Sequence, residues 1–325
     1  EKVLFMNSGV EAGESAVKIA RRWGYDVKGI PDNQAKIVFA KGNFWGRTIY
    51  ACGTSDDPSR YARFGPYDNS SHYLVEYNNV EELEKVLSND PNICAVFLEP
   101  IQGEAGVYVP SEDFITKAKA LCKKYNVLFI ADEVQTGVAR TGSLLAVCGN
   151  CTCENKCEKQ ATYVQPDILI LGKAVSGGVY PVSAVLANDE IMNVIKPGQH
   201  GSTFGGNPVA AAVAMAALDV VAEENLAQNA RKLGKIFRDE VAKYIQTSSI
   251  AKLVRGKGLL NAVVINDTEE SDTAWNICVR LAEKGLLAKP THGNIIRFAP
   301  PLVMTEEQLR TCIGILLEIF KEFEK

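Results

Sequence analysis

A chain of 325 residues with 46% hydrophobic and 23% charged side chains has ordinary globular composition, and its length can bury a large core in one big domain or two unequal ones. A net charge of −4 supplies no basic field, so nucleic acid and anionic lipid are not expected partners, although a few local arginines can still hold a small anion. No apolar run reaches the roughly 20 residues that span a bilayer.

Nine cysteines, an odd number in a chain that needs no staples, argue against a secreted disulfide scaffold. An intracellular protein is expected, cytoplasmic first, with a mitochondrial location left open. The chain opens on Glu1 inside what reads as a strand, so it reads as part of a longer protein with any leader upstream.

In chain order, residues 3–6 read as a strand, followed by the turn Asn7-Ser8-Gly9 and a helix to about Trp23. Ala16, Val17, Ala20 and Trp23 share one face of that helix. Residues 36–40, 95–98, 127–131 and 168–171 are further strands, apolar throughout and so expected to be covered on both faces. A helix over 109–125 leads into one of them, as a right-handed crossover requires. After Asn207-Pro208 the Ala- and Val-rich stretch 209–222 reads as a buried helix, and 223–240 as a polar one. The composition changes near Ala222, which divides a large domain, 1–222, from a small C-terminal one, 223–325. The latter reads helix, strand (261–265), helix (273–284), strand (295–298), helix, the last opened by a Thr305–Gln308 capping box. The pattern predicts an α/β fold, a mainly parallel sheet in the large domain and a smaller α+β domain.

Ligands of open α/β sheets sit at the carboxyl ends of strands, and four places there carry polar residues. Ser8-Gly9-Val10, at a helix start, can bind an anion or can simply be an N-cap. Asp132 ends a buried strand with Gln135 nearby; it needs a cation such as a protonated ring nitrogen, or caps the next turn. Lys173 leaves a strand into a Gly-rich turn, where an amine can serve Schiff-base chemistry or lie solvated. Residues 200–207, with Ser202 and Thr203 among glycines, suit close approach to a phosphate or a tight turn between domains.

In this order the motifs resemble the class III aminotransferases of fold type I. Ala-Asp-Glu-Val-Gln-Thr-Gly (131–137), Arg140-Thr141-Gly142 and Leu-Gly-Lys-Ala (171–174) carry the resemblance. Asn-Phe-Trp-Gly-Arg-Thr (43–48), Glu-Pro-Ile-Gln-Gly-Glu-Ala-Gly (99–106), the run 172–185 and the run 287–302 point within that family to its ornithine branch. The resemblance implies pyridoxal 5′-phosphate bound to Lys173 as a Schiff base. Asp132 would pair with the pyridinium nitrogen, Gln135 would bond the ring hydroxyl, and Phe44 would stack on the ring. Ser8, Gly9 and Val10 would hold the phosphate, with Ser202 and Thr203 reaching it from a second subunit of a homodimer. Ornithine and 2-oxoglutarate would be the substrates, handled by Arg47, Arg297, Glu104 and Trp45, with Glu99 supporting them by hydrogen bonds. Glu104 would mask Arg297 while ornithine is bound, then release it for 2-oxoglutarate. His200 and His292 read as structural.

Two departures stand out. The family's N-terminal segment, which supplies tyrosines to the substrate pocket, is absent from this sequence. Cys148, Cys151, Cys153 and Cys157 crowd a loop where none is expected; a redox switch read by a thioredoxin-like partner, a zinc site and an inert insertion all remain open. The zinc alternative lacks the usual two separated pairs, so no metal is assigned. Rival functions are acetylornithine or 4-aminobutyrate aminotransferase, or a non-catalytic cofactor-binding relative.

Overall fold

The computed structural model describes residues 1–148 and 164–324. Their contacts divide into two compact units: Glu1–Pro100, Pro110–Val138 and Leu145–Asp219 in the first, Ile101–Val109, Ala139–Leu144 and Val220–Lys325 in the second. Cys151, Cys153 and Cys157 lie outside the described residues, so the redox, zinc and inert readings of that loop are not addressed by the fold.

The first unit is built on a seven-stranded sheet in the order β1-β7-β6-β5-β4-β2-β3. The strands are β1 (Lys2–Met6), β2 (Lys36–Ala40), β3 (His72–Val75), β4 (Ile93–Leu98), β5 (Leu128–Asp132), β6 (Ile168–Leu171) and β7 (Ser183–Ala187). Only β7 runs against its neighbours; the ladders from β6 through β5, β4 and β2 to β3 are parallel. The continuous apolar strands are covered on both faces, as expected. Ile37, Phe39, Ala95, Phe97 and Ile130 pack with the Ala12–Trp23 face of α1 (Gly9–Asp26). Their alternates Val38, Val96, Phe129 and Ala131 pack with Leu83, Leu87, Phe114 and Leu121. Those last four come from α4 (Val80–Asn89) and α5 (Phe114–Lys124), after the short helices α2 (Ile49–Gly53) and α3 (Pro58–Tyr61).

Helix α5 starts later than the expected 109–125. Pro110 precedes Ser111, whose amide and hydroxyl both donate to Asn78 Oδ1, holding that segment outside the helix. The short α6 (Asp189–Met192) precedes α7 (Pro208–Glu223), the stretch expected to be a buried helix. Only Ala210 and Ala214 of α7 are buried, and Met215 is 67% exposed. Apolar composition alone does not specify cover. The described residues cover a single i, i+4 alanine stripe.

In the second unit a four-stranded antiparallel sheet runs β10-β11-β9-β8. Its strands are β8 (Ala251–Lys257), β9 (Leu260–Ile265), β10 (Lys289–Thr291) and β11 (Ile295–Phe298). Val263, Ile265 and Ile296 face the helices α8 (Leu226–Ile245), α9 (Thr273–Glu283) and α10 (Glu306–Glu322). On the other face Ile101 and Val107 cover Leu260, Ala262 and Ile295, which fixes the segment that carries Glu104. The capping box at Thr305 forms as read. In the β10–β11 turn, His292 and Gly293 both have positive φ, and a Cβ on Gly293 would lie 1.6 Å from Glu269 O. The turn sets Lys289 directly opposite Arg297.

Candidate functional site

Strands β1, β2, β4, β5 and β6 share one direction, so the residues after them meet along one sheet edge. There Gly9, Val10, Phe44, Asp132, Gln135 and Lys173 enclose a cavity of about 310 Å³, with Trp45, Arg47 and Glu99 completing its wall. That volume falls in the roughly 300–1,000 Å³ range of small-molecule sites.

Asp132 ends β5 and is 5% exposed. Its Oδ1 accepts the Val134 amide at 3.0 Å. Burial drives its pKa up to about 6, against the lowering effect of that amide and of the Lys173 charge. Lys173 follows the buried Gly172, opens a short 3-10 turn with φ of 45°, and is exposed. A non-glycine residue held there is strained, which is a recurrent property of functional positions.

Gly9 and Val10 begin α1, where first-turn amides have no acceptor within the helix. Ser8 is turned away to Glu11: its hydroxyl donates to Glu11 Oε2 at 2.8 Å and caps the Glu11 amide. Glu11 also takes the Ser8 and Asn7 amides, leaving Gly9 and Val10 to face the cavity. Close packing explains the glycine, since a Cβ on Gly9 would come within 2.7 Å of Val134 Cγ1.

Phe44 is half-buried, with Arg60 at 4.8 Å and Arg47 at 5.7 Å from its ring centre. Its amide donates to Glu99 Oε1 at 3.0 Å, and the Glu99 carbonyl accepts the Tyr77 hydroxyl. Trp45 reaches the cavity wall, yet its indole donates to Thr54 Oγ1 at 2.9 Å and stacks on Phe39, so much of it is core. Arg47 is exposed.

Ser202 lies beside the Asn7-Ser8 turn of its own chain, its hydroxyl accepting from Asn7 Nδ2 at 3.1 Å, while Thr203 is exposed. His200 holds this loop: Ser15 Oγ is 2.9 Å from Nε2 and Lys18 Nζ is 2.9 Å from Nδ1. Because the Ser15 hydroxyl donates to Glu11 O, Nε2 carries the proton and Nδ1 accepts from Lys18. Burial, then Lys18, lowers the His200 pKa. His292 sits in the β10–β11 turn with φ of 48°.

The other carboxylate of interest belongs to the second unit. Glu104 pairs with Arg297 through Oε1, and its Oε2 accepts Lys289 Nζ at 2.8 Å. The two cations outweigh burial and hold the Glu104 carboxyl down at about 2.

Two charged residues in these regions lie within motifs read from the sequence but had no role of their own assigned. Glu133, fully buried beside Asp132 on the opposite strand face, accepts the Val147 amide at 2.8 Å and the Thr136 hydroxyl, and burial raises its pKa. Lys289 lies in the run 287–302 but had no role read for it; strand register sets it opposite Arg297, beside Glu104.

The donor set fits pyridoxal phosphate. Free first-turn amides suit its phosphate, a buried carboxylate with a raised pKa suits a ring cation, and an aromatic face and an amine complete the set.

The class-III aminotransferase family profile matches residues 1–320. The mitochondrial ornithine aminotransferase of Drosophila melanogaster is 58% identical over 316 residues, which cover 97% of this chain and 69% of the relative. The ornithine aminotransferase of Toxoplasma gondii, solved with partial occupancy of PLP at its active site, aligns with a TM-score of 0.91 at 46% identity over 98% of this chain and 72% of that one. Acetylornithine aminotransferase from Elizabethkingia anophelis aligns with a TM-score of 0.86 at 59% identity, over 99% and 76%. A family match along nearly the whole chain, with a fold shared with solved members, makes this protein a class III aminotransferase of fold type I, an enzyme class that depends on pyridoxal phosphate.

Proposed function

We propose that this chain transfers the δ-amino group of L-ornithine to 2-oxoglutarate, giving glutamate 5-semialdehyde and glutamate in two half-reactions. The observation that carries the ornithine reading is Glu104 seated on Arg297, which closes a guanidinium that would otherwise take an α-carboxylate. A donor with its α-end refused presents its terminal amine instead.

When bound, pyridoxal phosphate supplies a carbonyl that condenses with amines and a pyridinium ring that accepts the electron pair left by a departing proton. Lys173 Nζ is the amine that holds it, and the same nitrogen takes and returns the proton at the substrate carbon. Asp132 holds a proton at the ring nitrogen, a role supported by its burial and raised pKa. Gln135 orients the ring hydroxyl, and Phe44, steadied by its amide bond to Glu99, covers the ring face. Gly9 and Val10, beside Ser8, orient the phosphate through backbone amides. These residues all fall in domain 1–222.

Arg297 takes the α-carboxylate of 2-oxoglutarate once Glu104 releases it, and Arg47 takes the distal one, because a planar guanidinium matches a carboxylate in a two-point contact. Trp45, on the cavity wall with Arg47, is assigned to the substrate as well. Ser202 and Thr203 of a second copy would complete the phosphate site in a homodimer; the exposed apolar surface of α7, including Val209 and Met215, supports such an assembly. Among the described residues no helix is long and apolar enough to cross a membrane.

The 59% identity to an acetylornithine aminotransferase favours acetylornithine as the second reading. Parallel assays with ornithine, acetylornithine and 4-aminobutyrate separate the donors, and a strong preference for acetylornithine overturns the first reading. For the cofactor, protein mixed with pyridoxal phosphate turns yellow and ornithine bleaches it. Lys173→Ala abolishes the bound yellow absorbance; an unchanged spectrum in that variant sinks the assignment.

A further inference from the structure

The Glu104 carboxylate is shared between two cations that face each other across strands β10 and β11. Arg297 contacts Oε1 and Lys289 contacts Oε2. Arg297 and Glu104 are each 15% exposed at the side chain, whereas Lys289 is 59% exposed on a flexible stem.

The backbone around Glu104 is pinned. Thr291 Oγ1 donates to the Glu104 carbonyl. Arg255 donates to Gly106 O through Nε at 2.9 Å and Nη2 at 2.8 Å. Gln102 and Tyr108 exchange both backbone bonds beneath this loop. These bonds hold the loop backbone, so an exchange of partners at Glu104 requires only its side chain to turn.

Removing one partner from a buried ion pair is costly because it strands the other charge. If Arg297 were the sole cation on Glu104, its transfer to a substrate carboxylate would strand Glu104. With Lys289 on the other oxygen, the exchange conserves pairing: Arg297 leaves for the substrate carboxylate while Glu104 stays with Lys289. An exposed lysine can follow the carboxylate as it rotates.

We infer that Lys289 is a positioning residue for acceptor specificity, a second anchor that retains Glu104 when Arg297 turns to a dicarboxylate. The inference rests on the reading that Glu104 masks Arg297. Lys289 acts through Glu104 and touches no reacting atom.

The test is titration of the cofactor-loaded full chain with glutarate, a dicarboxylate without a reactive carbonyl. Parent, Glu104→Gln, Lys289→Met, Lys289→Arg and the Glu104→Gln/Lys289→Met double variant are compared. Lys289→Met weakens glutarate binding about fivefold or more, within the usual range of coupling between sites. It also raises KM for 2-oxoglutarate by at least about five times as much as it changes the ornithine half-reaction. Lys289→Arg restores both. Glu104→Gln strengthens glutarate binding, and adding Lys289→Met to it causes no further change. Equal weakening by Lys289→Met in both backgrounds overturns the inference in favour of direct attraction of the dicarboxylate. Unaltered glutarate binding in Lys289→Met, with Glu104→Gln still strengthening it, overturns the anchor alone. No response to Glu104→Gln overturns the masking reading itself, and the anchor falls with it.

Discussion

Two carboxylates, one buried and one partly buried, carry opposite electrostatic histories. Asp132, in the first unit, has a backbone amide and the charge of Lys173 to offset its burial, and its pKa is pushed up to about 6. Glu104, in the second unit, lies between Arg297 and Lys289 and is held at about 2. Burial raises both; what differs is the supply of cations. Asp132 is a site whose remaining demand for positive charge suits a ligand. Glu104 has that demand met by the protein, so any ligand function there must come from letting go.

The largest effect expected from this contrast is on turnover. On the proposed role of Asp132 at the ring nitrogen, Asp132→Asn removes that charge and lowers kcat by about 10²–10³-fold, the usual cost of losing one such group. The same change stabilises the cofactor-free protein. Between the reference value of 3.8 and about 6, folded Asp132 keeps a proton that the unfolded chain has released, so stability falls as pH rises through that window and the penalty is complete above it. Thermal unfolding without cofactor therefore shows Asp132→Asn more stable than the parent above pH 6 by about 1–3 kcal/mol. A destabilised variant at that pH breaks the comparison.

Glu104 runs the other way and is next in size. Its folded pKa is depressed from 4.5 to about 2, so its contribution is full above 4.5 and lost as pH falls through 2. With the exposure of Lys289 discounted, the expected contribution is about 1–2 kcal/mol. Acid unfolding curves of parent and Glu104→Gln should converge towards pH 2 and separate above 4.5; parallel curves contradict the pairing.

The smallest effect sharpens the cofactor side. Gly9→Ala places a methyl against Val134 and costs about 1 kcal/mol of stability, together with weaker pyridoxal phosphate binding. Val134→Ala in the same chain relieves the stability loss. Failure of that rescue assigns the cost to something other than this contact.

Much of the first unit was legible because its central strands are uniformly apolar, as in Ile93–Leu98 and Leu128–Asp132. Strand β3 opens His-Tyr and β8 carries Lys252, Arg255 and Lys257, so neither presents an apolar run, and both were missed. Helix α7 was legible as a helix but misread in burial, because apolarity reports a demand for cover and not its source. At the candidate site, Asp132 could be found because it closes an apolar strand, and Lys173 because it stands two residues past another. Lys289 could not: 185 residues separate it from Glu104, and only the pairing of a three-residue strand brings the two together. Trp45 was read for its place in a motif, and its bond to Thr54 is a tertiary fact.

The β10–β11 turn has a consequence for how such an enzyme can change substrate over evolutionary time. His292 and Gly293 set a three-residue connection, and Lys289 and Arg297 share a face only in that register. A single insertion or deletion there would slip one strand by a residue and turn the two cations to opposite sides of the sheet. If Lys289 anchors Glu104 as inferred, a change in loop length alone rewrites acceptor preference.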